Sequence, residues 1–311
     1  MDKQSKIILI SGPTASGKSH FSIKVAKKIN GEVINADSMQ IYKNLKILTS
    51  RPSKKDQKNI KHHLYGVVDL RKNFSTGEWL KAAIKNIRSI RKRKKIPILV
   101  GGTGLYFESL INGLVNIPKV PVNFRNKIRM MQKKEGQKKF YKLLLKLDSK
   151  IKGKFDPNDK QRSIRAFEIK LFTGVSMYDW LKKTKSEFKD AEFLKLYINF
   201  KREDLVERIS FRTIKMIKEG AVKEVEKFLT LKIKKILSVN KVIGIDELTQ
   251  YLKNQINLDE AQELISIKTR QYAKRQATWA RSRMISWKKI NPIKISDFIK
   301  KLNKSSLKLD Q

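Results

Sequence analysis

The segment Gly12-Pro13-Thr14-Ala15-Ser16-Gly17-Lys18-Ser19 narrows the folds open to this chain more than any other stretch. It satisfies the spacing G-x-x-x-x-G-K-[ST], in which a glycine-rich turn runs straight into a helix. Backbone N–H groups of the turn and of the first helical turn then point at one spot, where the helix dipole also favours an anion. Lys18 adds a point charge for a terminal phosphate, and the Ser19 hydroxyl suits Mg²⁺. Such a cradle needs a strand before it and a helix after it. Both are legible: Lys6–Ile10 reads as an apolar strand and Lys18–Ile29 as a helix.

The rest of the first third repeats that alternation. Val33–Ala36 and His63–Asp69 are strand candidates, and Ile96–Val100 is a continuous apolar strand ending in Gly101-Gly102. Between them, Thr76–Arg93 has helical spacing, with Trp79, Leu80, Ala83, Ile84, Ile87 and Ile90 on one side. Uninterrupted apolar strands alternating with helices imply a parallel sheet covered on both faces. The expected fold class is α/β, a P-loop NTPase-like parallel sheet flanked by helices. The pattern changes at Ile117-Pro118-Lys119-Val120-Pro121, and only helical periodicity follows to about Asp190. Strand character returns at Leu194–Phe200, with helices from Asp204 onward. We therefore expect a catalytic core of residues 1–116 and 191–290, an all-helical insertion domain of 117–190, and a C-terminal tail of 291–311. Disorder is expected over 305–311.

Charge narrows the partners. Lys and Arg number 71 against 29 Asp and Glu, a formal net charge of +42, and residues 117–190 alone carry 21 against 8. A surface of that sign attracts nucleic acid by neutralising phosphates and releasing counterions; plain abundance of lysine is the bland alternative. The chain has no cysteine, which excludes disulfides, thiolate metal sites and cysteine nucleophiles and suits a reducing compartment. No apolar run is long enough for a membrane span. A cytoplasmic monomer without membrane contact is the default expectation. His62 and His63 have too few companions for a metal site to be expected there.

A phosphate cradle does not name a reaction; what faces it decides that. Gly31–Tyr42 ends an apolar strand in a polar turn at Asp37-Ser38-Met39-Gln40. Ligands of parallel sheets bind outside the carboxyl ends of the strands, so Asp37 should face the cradle. A carboxylate there can accept a proton from a nucleophile, can hold Mg²⁺, or can simply cap the next turn.

Gly12–Ser19, Asp37–Lys43 and Gly101-Gly102-Thr103-Gly104-Leu105-Tyr106 together resemble the tRNA dimethylallyltransferases, also called tRNA isopentenyltransferases. The likeness continues in order through Asp159–Arg165, Val242-Ile243-Gly244 and Thr269–Trp279, and so spans about residues 7–287. The resemblance implies that Gly12, Pro13, Thr14, Ala15, Ser16, Gly17, Lys18 and Ser19 hold dimethylallyl diphosphate rather than ATP, with Mg²⁺ at Ser19. The five-carbon unit would pass to N6 of the adenosine 3′-adjacent to the anticodon, in the anticodon stem-loop of tRNA. By the same resemblance Asp37 is the general base, Thr14 lies near the reacting centre, and Arg212 contacts the diphosphate. It also puts Asp37, Ser38, Met39, Gln40, Thr103 and Arg125 near the target nucleotide. Further tRNA contacts would come from Gln161, Arg162, Ser163, Ile164, Arg165, Lys241, Arg270 and Arg275.

The residues have other readings. Thr103 can cap the helix expected from Leu105, Arg125 can be a solvated cation, and Gln161, Arg162 and Arg165 can be one solvated helix face. Asp259–Ile285 reads as one long helix with Arg270, Lys274 and Arg281 along one side; its Tyr272 could stack a base, while Trp279 reads as core. The chain has Ile245 and Asp246 where the family usually carries an aromatic and a basic residue. The main rival function is a P-loop small-molecule or nucleotide kinase, with the insertion as a lid. Prenyl transfer to free adenine nucleotides and an RNA-binding P-loop ATPase complete the field.

Overall fold

The computed structural model describes residues 6–303 and Leu307. The chain forms two compact units, one of residues 1–111 and 188–311, the other of 112–187. The tail expected to be disordered falls, Leu307 apart, outside the described residues.

The first unit begins β1 (Ile7–Ser11), α1 (Lys18–Ile29), β2 (Gly31–Asn35), α2 (Lys54–Gln57), β3 (His62–His63), α3 (Thr76–Lys92), β4 (Ile96–Gly101) and α4 (Gly104–Asn112). The second holds α5 (Val122–Leu147), α6 (Lys160–Thr173) and α7 (Met177–Leu181). The first resumes with β5 (Phe193–Ile198), α8 (Arg202–Lys218), α9 (Ala221–Thr230), α10 (Ile245–Leu252), α11 (Leu258–Arg283), β6 (Lys288–Ile290) and α12 (Ile295–Lys301).

All strand pairs are parallel, in the order β3-β2-β4-β1-β5-β6. Successive residues of β1 go to opposite faces, as the pleat requires. Ile7 and Leu9 join one core cluster with Ile34, Leu99, Trp79 and Phe107, whereas Ile8 and Ile10 join another with Phe21, Val25, Val33 and Ile98. Both faces are therefore covered, which is why these strands read as unbroken apolar runs. The face of α3 that packs is the one the periodicity predicts: Trp79, Ala83, Ile87 and Ile90 are buried, with Leu80 and Ile84 half-buried against the same core.

Two elements differ from expectation. The strand expected over His63–Asp69 is confined to His62–His63, which pair with Val33 and Ile34. Leu64 and Gly66 then take left-handed backbone conformations, φ 62° and 61°, and turn the chain out of the ladder. Residues after Trp287, which offered no pattern, form the edge strand β6 and helix α12. Ile290, Leu302 and Leu307 are buried in the core cluster over α1, where Phe298 packs 5.9 Å from Phe21.

In the second unit, Phe140, Leu144, Ile151, Ala166 and Phe167 form a separate core. Gly136, at φ 71° and ψ 163°, divides α5 into two helical pieces.

Candidate active site

The register of the sheet puts three chain exits side by side. Ser11 of β1 pairs with Gly101 of β4, and Asn35 of β2 pairs with Val100. The phosphate cradle, the Asp37 turn and the Thr103 turn therefore leave adjacent strands at one carboxyl edge, where α/β sheets bind ligands. The crossing is close. A Cβ on Gly101 would lie 2.0 Å from the Ala36 carbonyl oxygen, so only glycine lets the end of β4 pass β2. Past it, the Thr103 N–H donates to the Ala36 carbonyl at 3.2 Å, and the Ser38 N–H donates to the Thr103 hydroxyl at 3.0 Å. Thr103 thus secures the Asp37 turn as well as beginning α4.

The turn itself is fixed from beneath by Asn35, which is fully buried. Its carboxamide accepts from the Asp37 N–H at 2.9 Å and donates to the carbonyls of Asp37 and Leu64, at 2.9 and 3.0 Å. The indole of Trp79 donates to the Asn35 carbonyl at 2.8 Å and stacks on Tyr106 with centroids 4.2 Å apart. Asp37 does cap the turn: Oδ1 accepts from the N–H of Met39 at 2.9 Å and of Gln40 at 3.4 Å. Oδ2 makes no hydrogen bond among the described residues, so one half of the carboxylate is anchored and the other is available to a ligand.

In the cradle, Ala15 and Gly17 hold φ of 62° and 78°, curling the loop into the start of α1. Lys18 Nζ donates to the Pro13 carbonyl at 3.1 Å. Burial lowers its pKa to about 8; the Asp37 charge opposes that and Arg212 adds to it. Arg212 of α8 donates to the Thr14 hydroxyl, and burial lowers its pKa too, again against Asp37. Two cations thus share one poorly solvated site with one carboxylate, an arrangement that stabilises an entering polyanion. The Ser16 hydroxyl is buried and without a hydrogen bond among the described residues, which fits an oxyanion in the loop. Around Asp37, Tyr65, Tyr106 and Tyr272 have their pKa values raised by burial first and by the Asp37 charge second, which keeps all three phenols protonated.

Several contributors were not singled out from the sequence. Asn35 shows only as a polar residue ending an apolar strand. Arg208 lies one turn before Arg212 on α8 and donates from Nε to the Ala15 carbonyl at 2.8 Å; the i, i+4 spacing was its signal. Gln276, visible in the sequence only as one position of a motif, reaches both the cradle and the Gly102 carbonyl.

The remaining sequence-derived residues are more scattered. Met39 is half-buried against the core, and the Gln40 amide donates to the Thr49 carbonyl at 2.9 Å. Lys241 is exposed, as is Arg275, which lies 5.8 Å from the Tyr272 ring; Arg270 pairs with Glu263 at 2.7 Å. Trp279 packs half-buried against the core. Ile245 is buried and Asp246 lies 3.6 Å from Lys268, so neither supplies an aromatic face or a cation at that segment. Arg125, Gln161, Arg162, Ser163, Ile164 and Arg165 belong to the second unit. There Gln161 and Arg162 are exposed, Ile164 is half-buried, and Arg125 and Arg165 each lie 3.4 Å from the buried carboxylate of Glu168. Ser163 is fully buried, its hydroxyl donating to the Asp159 carbonyl at 2.8 Å, and offers no side-chain surface.

A parallel sheet with a Gly-Lys-Ser cradle, two converging cations and a half-free carboxylate at its carboxyl edge defines an α/β P-loop enzyme. Comparison with known proteins carries the assignment further. A family model described as IPP transferase matches residues 40–283, and the chain belongs to that family. It is 74% identical over 311 residues to a tRNA dimethylallyltransferase of Pelagibacter ubique, covering 100% of this chain and 99% of the relative. It is 38% identical over 294 residues to the protein of that name from Allorhizobium ampelinum, covering 94% of this chain and 97% of the relative. A crystal structure of a eukaryotic dimethylallyltransferase acting on tRNA superposes with a TM-score of 0.82 at 30% identity, covering 97% of this chain and 77% of that one. The tRNA isopentenylpyrophosphate transferase of Staphylococcus epidermidis superposes with a TM-score of 0.67 at 31% identity, covering 94% of this chain and 96% of that one. The chain is accordingly a transferase of the prenyl-transferring class. Among the described residues, no helix is long and apolar enough to cross a membrane.

Proposed function

We propose that this chain transfers the dimethylallyl group of dimethylallyl diphosphate to N6 of the adenosine 3′-adjacent to the anticodon in tRNA. The observation that carries the reading is the half-free carboxylate of Asp37 held within electrostatic reach of Lys18 and Arg212.

The bond between the allylic carbon and the diphosphate oxygen breaks, and a bond from that carbon to N6 forms. Negative charge accumulates on the departing diphosphate, where Lys18, Arg212 and the amides of the cradle oppose it; stabilisation of developing charge is usually the largest catalytic contribution. An exocyclic amine is a weak nucleophile and must shed a proton as it attacks. Asp37 takes that proton on Oδ2, while Oδ1 stays tied to the turn. The adenine must leave its stack to reach the site, as base-modifying enzymes require.

The residues present also fit Mg²⁺. Ser19, in the first turn of α1, offers a hydroxyl without an intramolecular partner among the described residues, beside the cradle that would hold the diphosphate. Mg²⁺ favours few protein oxygens beside substrate phosphates. When bound, the ion would neutralise diphosphate oxygens. The basic second unit, with Arg125, Gln161 and Arg162, and the exposed Lys241 and Arg275 are proposed to hold the tRNA backbone, with a single chain as the working unit.

Unmodified tRNA is incubated with dimethylallyl diphosphate or with ATP, and its nucleosides are weighed. The reading requires a prenylated adenosine from the first and no ATP consumption with the second. In Asp37→Asn the rate should fall ~10²–10⁴-fold, the usual worth of a general base, with tRNA affinity retained. Equal losses of rate and affinity would reject the base role.

A further inference from the structure

The cradle and the Asp37–Thr103 side of the site leave neighbouring strands, but no hydrogen bond joins Thr14 to the Gly102 turn directly among the described residues. One side chain spans them. Gln276, in the second half of α11, accepts from the Thr14 N–H on Oε1 at 2.8 Å and donates from Nε2 to the Gly102 carbonyl at 3.0 Å. The orientation of the carboxamide is dictated by its partners, since an N–H can only donate and a carbonyl can only accept. The fit leaves no space for a side chain at residue 102. A Cβ there would lie 2.0 Å from Gln276 Nε2.

Each partner leads directly to a reacting group. Thr14 is held on its other side by Arg212, which donates to its hydroxyl. Gly102 is followed by Thr103, whose hydroxyl receives the Ser38 N–H next to Asp37. The Tyr272 phenol, one helical turn before Gln276, lies against Thr103, Gln276 and the Asp37 charge. The carboxamide therefore links the diphosphate half of the site to the proton-accepting half. It does so from a helix whose own position is set by packing rather than by the loops.

We infer that Gln276 is a positioning residue for the transfer, fixing the distance between the diphosphate cradle and the Asp37–Thr103 turn. The inference rests on the prenyl transfer proposed above. Gln276 touches neither reacting group; it acts through Thr14 and Thr103. No other common side chain of this length meets both partners. Glutamate keeps the acceptor for Thr14, loses the donor for Gly102, and sets a negative charge beside the diphosphate. Methionine keeps the shape and neither bond. Displacement of about 1 Å between reacting groups is enough to cost ~10²-fold in rate.

The test uses the full chain, unmodified tRNA and dimethylallyl diphosphate, with product read by nucleoside mass and rates normalised to active-site concentration. Gln276→Met should lower kcat ~10–100-fold, while KM for the diphosphate stays within about threefold and the melting temperature stays near that of the parent chain. Gln276→Glu should lower kcat and raise KM together, because it repels the diphosphate. The double variant Gln276→Met with Thr103→Ala should be little slower than its slower single parent, since residues that act through one another are not additive. Unchanged kcat in Gln276→Met overturns the inference. So does a loss explained wholly by unfolding or by fewer active sites, and so does a double variant whose losses multiply. A parent chain that forms no prenylated adenosine removes the proposed reaction itself, and the inference with it.

Discussion

In the proposed reaction the alkaline limb of the pH–rate profile should belong to Lys18. Its ammonium sits in the cradle with one acceptor among the described residues, the Pro13 carbonyl, and burial brings its pKa down to about 8. The proposed diphosphate binding would need the charged form, so kcat/KM, which reports the free protein, should fall as pH rises through 8. With that pKa, about ten in eleven sites carry the charge at pH 7 and about one in eleven at pH 9, a roughly tenfold fall. The ligand does not produce this limb, since a terminal phosphate loses its last proton near pH ~6. The sign is opposite to that expected of a lysine paired on its surface with an acid, whose pKa would rise. The assay is initial rate against dimethylallyl diphosphate at saturating tRNA from pH 6.5 to 9.5, with Lys18→Met in parallel. The variant should have a lower plateau and no limb at pH 8. A parent profile flat to pH 9.5, or a limb that survives in Lys18→Met, would refute the assignment.

Glu32 gives a test that should leave the reaction untouched. It is buried near the amino end of β2, away from the carboxyl edge, with His63 at 2.7 Å, Arg93 at 2.6 Å and Lys95 at 3.2 Å. Burial raises its pKa, but hydrogen bonds from Arg93, His63 and Lys95 outweigh that and hold it at about 2. A carboxyl whose folded pKa is depressed stabilises the fold above its unfolded pKa and loses that contribution as pH falls towards the folded value. Thermal melts should therefore show Glu32→Gln less stable by about 1–3 kcal/mol at pH 7, with the gap closing between pH 4.5 and 2 and kcat unaltered. A constant gap would mean the carboxylate charge is immaterial. The net charge of +42 also predicts that tRNA affinity falls steeply with salt, with log K dropping by ~0.9 or less per log unit of salt for each phosphate contact; a flat profile in a filter-binding titration would remove the charge argument.

What the sequence made plain were the features set by local pattern. The cradle is one continuous stretch with fixed spacing, and β1, β2 and β4 are apolar because both their faces are covered. Asp37 was placed at the ligand edge by a topological rule alone. Its second task as a turn cap was one of three readings, and Oδ1 performs it while Oδ2 remains available for another. The short edge strands were harder. Lys288 and Lys289 of β6 are exposed and only Ile290 is buried, so nothing alternates long enough to register as a strand. At β3 the pairing stops where Leu64 turns left-handed, a conformation its side chain does not announce. Ser163 shows the opposite limit: motif membership cannot tell a hydroxyl that faces outward from one turned in to the Asp159 carbonyl.

The parts of the site that were not legible share a cause. Parallel strands deliver their loops to one edge, yet adjacent loops have no ladder to hold them together once the sheet ends. Asn35 closes the gap from inside the sheet, and Arg212, Arg208 and Gln276 close it from α8 and α11. The contacts from α8 and α11 span 174 to 262 residues, so no short window of sequence contains both partners. Each of these side chains binds a backbone group or hydroxyl of the cradle or turn, and Arg212 also brings its charge to Lys18 and Asp37. The early third of the chain therefore supplies the cradle and Asp37, and the later helices supply Arg212 and the long-range contacts that hold the cradle in place. Rate and ligand affinity are then separable properties here. In the proposed reaction the cradle would bind diphosphate with its own amides, Lys18 and Arg212, whereas the transfer would depend on how firmly α8 and α11 hold that cradle against Asp37.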